Sequence, residues 1–466
     1  MKKIFLPLLF LANLIDAQSI TLLKDINPGA NPSTPAEFFK LDGKLYFNAN
    51  NPTYGTELWS TDGTSGGTNL VLDLNPGTAS SLPTSLLNYN NKLHFKTLIG
   101  ATGLYSYDSS TGSATLIPGM PTASNFLVAE GKIFFRQNTK FSYFFQGTVT
   151  EIDTPVIVNG QMGAVNGKII TGASATSATN NLQLYVYDGN TVSLLKVINP
   201  NATANPQNFY YSSNLNTLFF TAGSNTAGFE LWKTDGTADG TVQVKNINPG
   251  TSNSFPGNFK QIGNKVFFAA NNGTNGNELW VTDGTEEGTV LVKDINPGSS
   301  ASNPNNLVEV NGKLYFLASD GSGEARLWES DGTADGTKMT LELKPGYTNF
   351  VLGKMEEYNG ALYLSAKLSV SQGQELYKIE VPTENLNVGN QNKKEISIYP
   401  NPTNGKLFFN GLEKGTYDLY DVNGRLVKKE GNIINSTLQL NVPKGNYVLV
   451  TKTIDGSLKT NKIIVK

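Results

Sequence analysis

The sequence predicts an all-β chain: an eight-bladed β-propeller, with seven blades as the alternative count, followed by a small C-terminal β-sandwich. Three observations lead there. The composition is that of a turn-rich β protein, a two-part motif recurs eight times, and a strand-like segment near the start supplies what the last repeat lacks.

At 466 residues the chain exceeds what one ordinary core holds, so it forms either several domains or a repeat architecture. Only 16% of residues are charged, 47 are glycine and 10% are aromatic, which supplies abundant turns and bulky packing groups. Cysteine is absent, and with it disulfides and thiolate metal sites. Lys2 and Lys3, an apolar run from Ile4 to Ile15, and then Asp16-Ala17-Gln18 read as a signal peptide over residues 1–17, cut after Ala17. That run is shorter than the about twenty apolar residues of a membrane span. Removing it moves the formal net charge from −2 to −3; residues 395–466 hold ten Lys/Arg against six Asp/Glu, or +4, which leaves −7 on residues 18–394. No basic stripe marks the large region for nucleic acid.

Self-comparison gives the main signal. ELWSTDGTSGGT from Glu57, ELWKTDGTADGT from Glu230, ELWVTDGTEEGT from Glu278 and RLWESDGTADGT from Arg326 are one unit. Degraded copies begin at Gly103, Ser142, Gln183 and Glu375. A second string precedes each copy, starting at Gly43, Asn91, Gly131, Gly167, Asn216, Asn264, Gly312 and Gly360; the spacing is 48 from Asn216 onward and falls to 40 and 36 on either side of Gly131.

Inside the first unit, AEFFKL (36–41), KLYFNA (44–49), ELWST (57–61) and NLVLDL (69–74) alternate as strands, and Asp42-Gly43 and Asp62-Gly63 supply the positive φ of tight hairpins. Asn75-Pro76-Gly77 ends the unit. Four short antiparallel strands per repeat make a propeller blade. Ring closure follows from an offset: SITLLKDINPG (19–29) is a fourth strand with no blade before it, whereas the eighth unit stops at ELYKIE (375–380) without one. Fourth strands end at Asn27, Asn75, Ile117, Asp153, Asn199, Asn248, Asn296 and Lys344.

At these residues the chain resembles the ELWxxDGT repeat proteins of bacterial surface and secreted proteomes, over roughly residues 20–381. The resemblance implies an extracellular repeat scaffold and no shared chemistry. From Glu395 the pattern changes, and ISIYPNPTNGKLFF (396–409), GTYDLYDVNGRLVKK (415–429) and GNYVLVTKTIDGSLKTNKIIVK (445–466) resemble the sorting domain read by the type IX secretion machinery of Bacteroidetes. That resemblance implies a partner, the secretion machinery, and a passenger delivered to the cell surface or medium, peripheral to the outer membrane rather than spanning it. The domains expected are therefore a signal peptide (1–17), a propeller (18–381), a linker (382–394) and a sorting domain (395–466).

Candidate chemistry is sparse. The residues aligned with the motif tryptophan are Trp59, Tyr105, Tyr143, Tyr185, Trp232, Trp280, Trp328 and Tyr377; identical placement in every unit suits packing between blades better than sugar stacking. Asp62, Asp235, Asp283 and Asp331 precede glycine in turns, where Asp bonds its own backbone, with calcium binding as the functional alternative. A catalytic group is needed once, so the repeated Glu57, Glu230, Glu278 and Glu375 are poor candidates. His94 is the only histidine and replaces an aromatic, Tyr46, Phe134 or Tyr315 in sister strands. Glu324, Glu356 and Glu357 remain as carboxylates, without spacing that selects a pair. Ligand binding is expected on the rim formed by the loops between second and third strands, at Asn51, Tyr54, Asn225, Asn271, Asn275, Asp320 and Glu324. The function expected is binding or adhesion, with polysaccharide as ligand; a polysaccharide hydrolase or lyase and a surface-layer component are the alternatives.

Overall fold

Short antiparallel strands joined by tight turns dominate because the sequence places two left-handed residues where first and second strands meet in six of the eight blades. Asp42 and Gly43 have φ of 48° and 67°, and Asn359 and Gly360 have 51° and 77°. That backbone twist matches the strands it joins. The computed structural model describes residues 20–154, 156–175, 181–340, 351–369 and 371–381, and in the C-terminal unit 397–400, 402–410, 412, 414–421, 425–453 and 458–466. The expected signal peptide, linker and the strand end at Lys344 lie outside the described residues. Two compact units emerge, residues 1–383 and 384–466.

The first unit is a β-propeller. Among the described residues it holds eight four-stranded sheets, each ordered first to fourth strand from one edge to the other. Blade 1 comprises Ala36–Leu41, Lys44–Asn51, Gly55–Thr61 and Asn69–Leu72. Blades 2 to 7 follow at 83–116, 123–151, 157–196, 207–245, 257–293 and 305–339. Blade 8 takes three strands from Val351–Tyr358, Ala361–Lys367 and Glu375–Glu380, and its fourth from Ile20–Lys24. Thr21 stands opposite Lys378 and Leu22 opposite Tyr377 in this antiparallel pair. First strands of successive blades lie side by side, and those of blades 8 and 1 also touch, so the series is a closed ring.

Cores form between blades rather than within them, since a single sheet cannot cover its own faces. Trp59 packs with Phe47 of its own blade and with Tyr358, Tyr363 and Leu376 of blade 8. Trp232, Trp280 and Trp328 pack in the same way against blades 4, 5 and 6. One expected alignment is corrected by the register. Phe47 faces Trp59 and Phe95 faces Tyr105, but in blade 3 the equivalent Phe135 faces Ser142, which displaces Tyr143 from the tryptophan position. The hairpin there is short, with Gln137 opposite Lys140, and buried Phe141 occupies the place of the motif leucine.

Every first strand carries a register shift near its start. In blades 1, 2, 3, 5, 6 and 7 a left-handed residue sits there, as Asn208, Asn258 and Asn306 do at φ of 55°, 56° and 50°. Their amides donate to Pro256 O (3.2 Å), Pro304 O (3.0 Å) and Gly353 O (3.1 Å) of the next blade. The bulge thus serves as a blade-to-blade tie.

The C-terminal unit has a three-stranded sheet (Ser397–Tyr399, Lys406–Asn410, Thr437–Gln439) and a four-stranded one (Leu426–Ile433, Gly415–Asp421, Gly445–Thr453, Leu458–Val465). Leu407, Phe409 and Leu438 from the first share a core with Leu419, Leu449 and Ile463 from the second. This is a small β-sandwich.

A chain truncated to begin at Ala36 loses both the closing strand and the groups bonded to Glu375. Its thermal unfolding is expected to lose cooperativity or fall by at least about 3 kcal/mol in stability, while a chain beginning at Ile20 unfolds like the full chain; calorimetry compares the two.

Candidate functional site

The motif residues are best understood by what each bonds. In the turn of blade 6, Asp283 Oδ1 accepts from Thr285 N (2.9 Å) and Thr285 Oγ1 (2.7 Å). Gly288 N donates to Thr285 Oγ1 (2.9 Å), and Thr289 Oγ1 reaches Thr285 O (2.6 Å) and Thr282 Oγ1 (2.7 Å). A Cβ on Gly288 would stand 2.0 Å from Asp283 Oδ1, which explains the second glycine of the motif. Blades 1, 5 and 7 repeat this set through Asp62, Asp235 and Asp331. The threonine bonds hold all four carboxyl groups below the usual aspartate range. Among the described residues no cluster of three His, Asp or Glu is placed to hold a metal ion.

Lysines of the fourth strands grip the turn of the following blade. Lys245 Nζ donates to Thr289 O (2.9 Å), Lys293 Nζ to Thr337 O (2.6 Å), Lys196 Nζ to Ala238 O (2.9 Å) and Lys24 Nζ to Ser65 O (3.4 Å). Leu72, opposite Leu58, replaces lysine where the next blade lacks the full turn.

The motif glutamates are latches. Glu278 Oε1 accepts from Ser302 N (2.9 Å), and Oε2 from Ser302 Oγ (2.5 Å) and Ile295 N (2.9 Å). Glu57 holds Leu74 N and Ser81, and Glu230 holds Ile247 N and Ser254, in the same manner. Glu375 accepts from Ile26 N (2.8 Å), Ser33 N (3.0 Å) and Ser33 Oγ (2.5 Å), so the N-terminal segment docks onto blade 8 as the links after blades 1, 5 and 6 dock onto theirs. Blade 4 carries Gln183 instead, whose Oε1 accepts from Ile198 N (2.9 Å), while Ala204 stands in the serine position. Burial pushes all four carboxyl groups above the ordinary glutamate value, Glu230 to about 7, with the hydroxyl and backbone donors offsetting part of it.

His94 is 3% exposed, sits edge-on to Tyr89 at 5.6 Å, and burial lowers its pKa. Glu356 and Glu357 of blade 8 meet Lys40 of blade 1 at 3.5 and 2.6 Å, an ion pair across the ring closure. These groups too serve the scaffold.

The expected rim residues lie on four loops, of blades 1, 5, 6 and 7. Asn51 Nδ2 donates to Ile26 O (2.7 Å), and Tyr54 packs on the core between blades 8 and 1. Asn271 Oδ1 accepts from Gly273 N (2.7 Å), Asn275 Nδ2 donates to Asp294 Oδ2 (2.7 Å), and Asp320 Oδ1 accepts from Ser322 N (3.0 Å) and Ser322 Oγ (2.5 Å). Asn225 and Glu324 are exposed. Blade 1 is separated from blades 5 to 7 around the ring, so these residues do not form one constellation. Sequence reading did not single out Phe255, which stacks at 5.4 Å on Phe229 of the strand Gly228–Thr234 on this rim; a phenylalanine in the otherwise small and polar run 248–256 was the available signal. On the opposite rim, Asp42, Tyr46, Lys92, Tyr107 and Asp108 line a cleft of about 110 Å³, with Lys92 paired to Asp108 at 3.3 Å.

Residues 397–466 match the secretion system C-terminal sorting domain. This domain marks the chain for type IX export to the cell surface or extracellular space. No curated protein matches the chain. Similar solved structures include the computationally designed Ika8 protein (TM-score 0.48, 11% identity, covering 77% of this chain and 99% of that one). Others are the oligogalacturonate lyase of Vibrio parahaemolyticus (0.41, 13%, 65% and 92%) and the β-propeller domain of the Trilobed protease from Pyrococcus furiosus (0.39, 11%, 66% and 98%).

The latch has a pH signature. A carboxyl group whose pKa is higher folded than unfolded holds its proton longer in the native state, so stability is greatest below the unfolded value and is lost as pH rises through the folded one. For Glu230 that window runs from 4.5 to about 7. Denaturant melts at pH 5 and pH 8 are expected to show lower stability at pH 8, on the order of 3 kcal/mol for this group at most. Glu230→Gln, copying Gln183, is expected to flatten the slope and keep the fold; an unchanged slope contradicts it.

Proposed function

We propose that this chain is a secreted or surface-held propeller of the ELWxxDGT-repeat type that works as a non-enzymatic binding or adhesion module for glycans. The observation that carries the reading is the division of labour within each blade. Repeated Glu, Asp, Thr and Lys side chains are spent on backbone groups of their own turn, link or neighbouring blade. Variable chemistry is left to the rim loops, rich in Asn, Gly and Thr, as neutral hydrogen-bonding recognition requires. The sorting domain agrees with such a role, because export sets the propeller among extracellular polymers. The sorting domain's partner is the type IX machinery, and the ligand is a cell-surface or environmental polysaccharide.

A glycan array probed with the full chain, with and without calcium, tests this. Binding to a restricted set of glycans without their turnover is expected. Silence on the array together with cleavage of a polysaccharide would overturn it.

A further inference from the structure

Five blade junctions share one backbone device. A residue in the link, left-handed in φ, donates its N–H to the carbonyl of the residue just before the latch position: Leu82 N to Thr56 O (3.1 Å), Asn303 N to Asn277 O (3.1 Å), Thr34 N to Gln374 O (2.9 Å). At the junction of blades 5 and 6 the same two positions hold Phe255 and Phe229, bonded at 3.2 Å. Repetition makes the other junctions internal controls. No aromatic side chain serves the scaffold at those positions, so the aromatic pair is an addition that the scaffold does not require.

The addition is costly. Phe255 adopts φ of 46°, which a bulky side chain rarely takes, and its ring is 55% exposed. It is also held rigidly. The Phe229 ring lies beneath it at 5.4 Å and 24° between planes, Ser254 N also donates to Phe229 O (3.0 Å), Asn271 N to Ser254 O (3.0 Å), and Phe229 N to Asn253 Oδ1 (2.9 Å). An exposed aromatic face fixed in a strained backbone, among side-chain amides and hydroxyls, suits the apolar C–H face of a pyranose whose hydroxyls turn outward to those groups.

Charge narrows the ligand class. GSNTAGF (223–229), NPGTSNSFPG (248–257) and NNGTNGN (271–277), the segments that meet here, contain no charged residue. Asp294, bonded to the last of them, directs Oδ2 to Asn275 Nδ2 (2.7 Å) and Gly298 N (3.3 Å). We infer that the junction of blades 5 and 6 is a subsite for an uncharged sugar unit stacked on Phe255, an inference that rests on the glycan-binding reading and locates it.

Affinity electrophoresis of the full chain through cellulose derivative, xylan, mannan and laminarin, beside alginate and polygalacturonate, tests the subsite. At least one neutral polymer should retard the chain, equally at low salt and at about 0.5 M salt, where surface charge effects are screened. Phe255→Ala should weaken that retardation about tenfold or more, and Leu82→Ala at the sister position should not. Phe255→Gly should lose binding while its Tm holds or rises, because glycine relieves the left-handed strain. Retardation by a neutral polymer that survives Phe255→Ala, or retardation by the acidic polymers alone, overturns the subsite and leaves glycan binding standing. No retardation by any polymer overturns both.

Discussion

A glutamate buried at a blade junction, accepting backbone N–H groups from the departing chain, is the interaction on which the ring depends. A link between blades must turn sharply beneath the surface, and its amide groups cannot all find strand partners there. The carboxylate supplies acceptors for them, and a serine hydroxyl completes the set. Asparagine of the N-P-G sequence closes the same link from outside, as Asn296 Nδ2 does by donating to Ala301 O (3.2 Å). Where Gln183 replaces the glutamate, alanine replaces the serine, since an amide spends its own donors on Asn199 O and Ala202 O. Acid and hydroxyl change together because they form one unit.

Coupling between blades then accumulates from separate ties. Tryptophan or tyrosine fills the inter-blade core, lysine holds the next turn, and a left-handed asparagine crosses on the inner strand. A repeat array with open ends needs capping units, whereas a ring needs only that its last junction resemble the others. Glu375 with Ile26 and Ser33 reproduces the contacts of Glu57 with Leu74 and Ser81. Closure therefore reuses a joint already built into the repeat, and it removes the exposed edge that Glu375–Glu380 would otherwise present.

Much of this was legible in the sequence because period and turn chemistry are local. Asp-Gly and Asn-Gly fix hairpins through φ, and alternation fixes which side faces the next blade. Partners in the latch are 24 residues apart in Glu278 and Ser302 and 342 apart in Glu375 and Ser33, so no local pattern joins them. The glutamates were legible as non-catalytic through their repetition, but their task was not. Blade 3 misled for a different reason: aromatic Tyr143 matched the motif by letter, while the short hairpin and Phe141 set the register one residue away. On the rim, Asn51 and Asn275 had the composition of ligand-binding loops, yet their amides serve the loops themselves. Phe255 escaped notice because a lone phenylalanine in a link resembles a core residue until its exposure is known.

The claim most open to direct test is that the leading strand completes the final blade of its own chain. Thr21 and Lys378 stand opposite each other, and facing residues in an antiparallel pair come within disulfide reach. The chain has no native cysteine to confuse the outcome. A Thr21→Cys/Lys378→Cys double variant, oxidised under dilute conditions and read by mass spectrometry of its peptides, should form one disulfide within each molecule. Free thiols in the folded protein, or linkage only between molecules, would contradict a ring closed in this way.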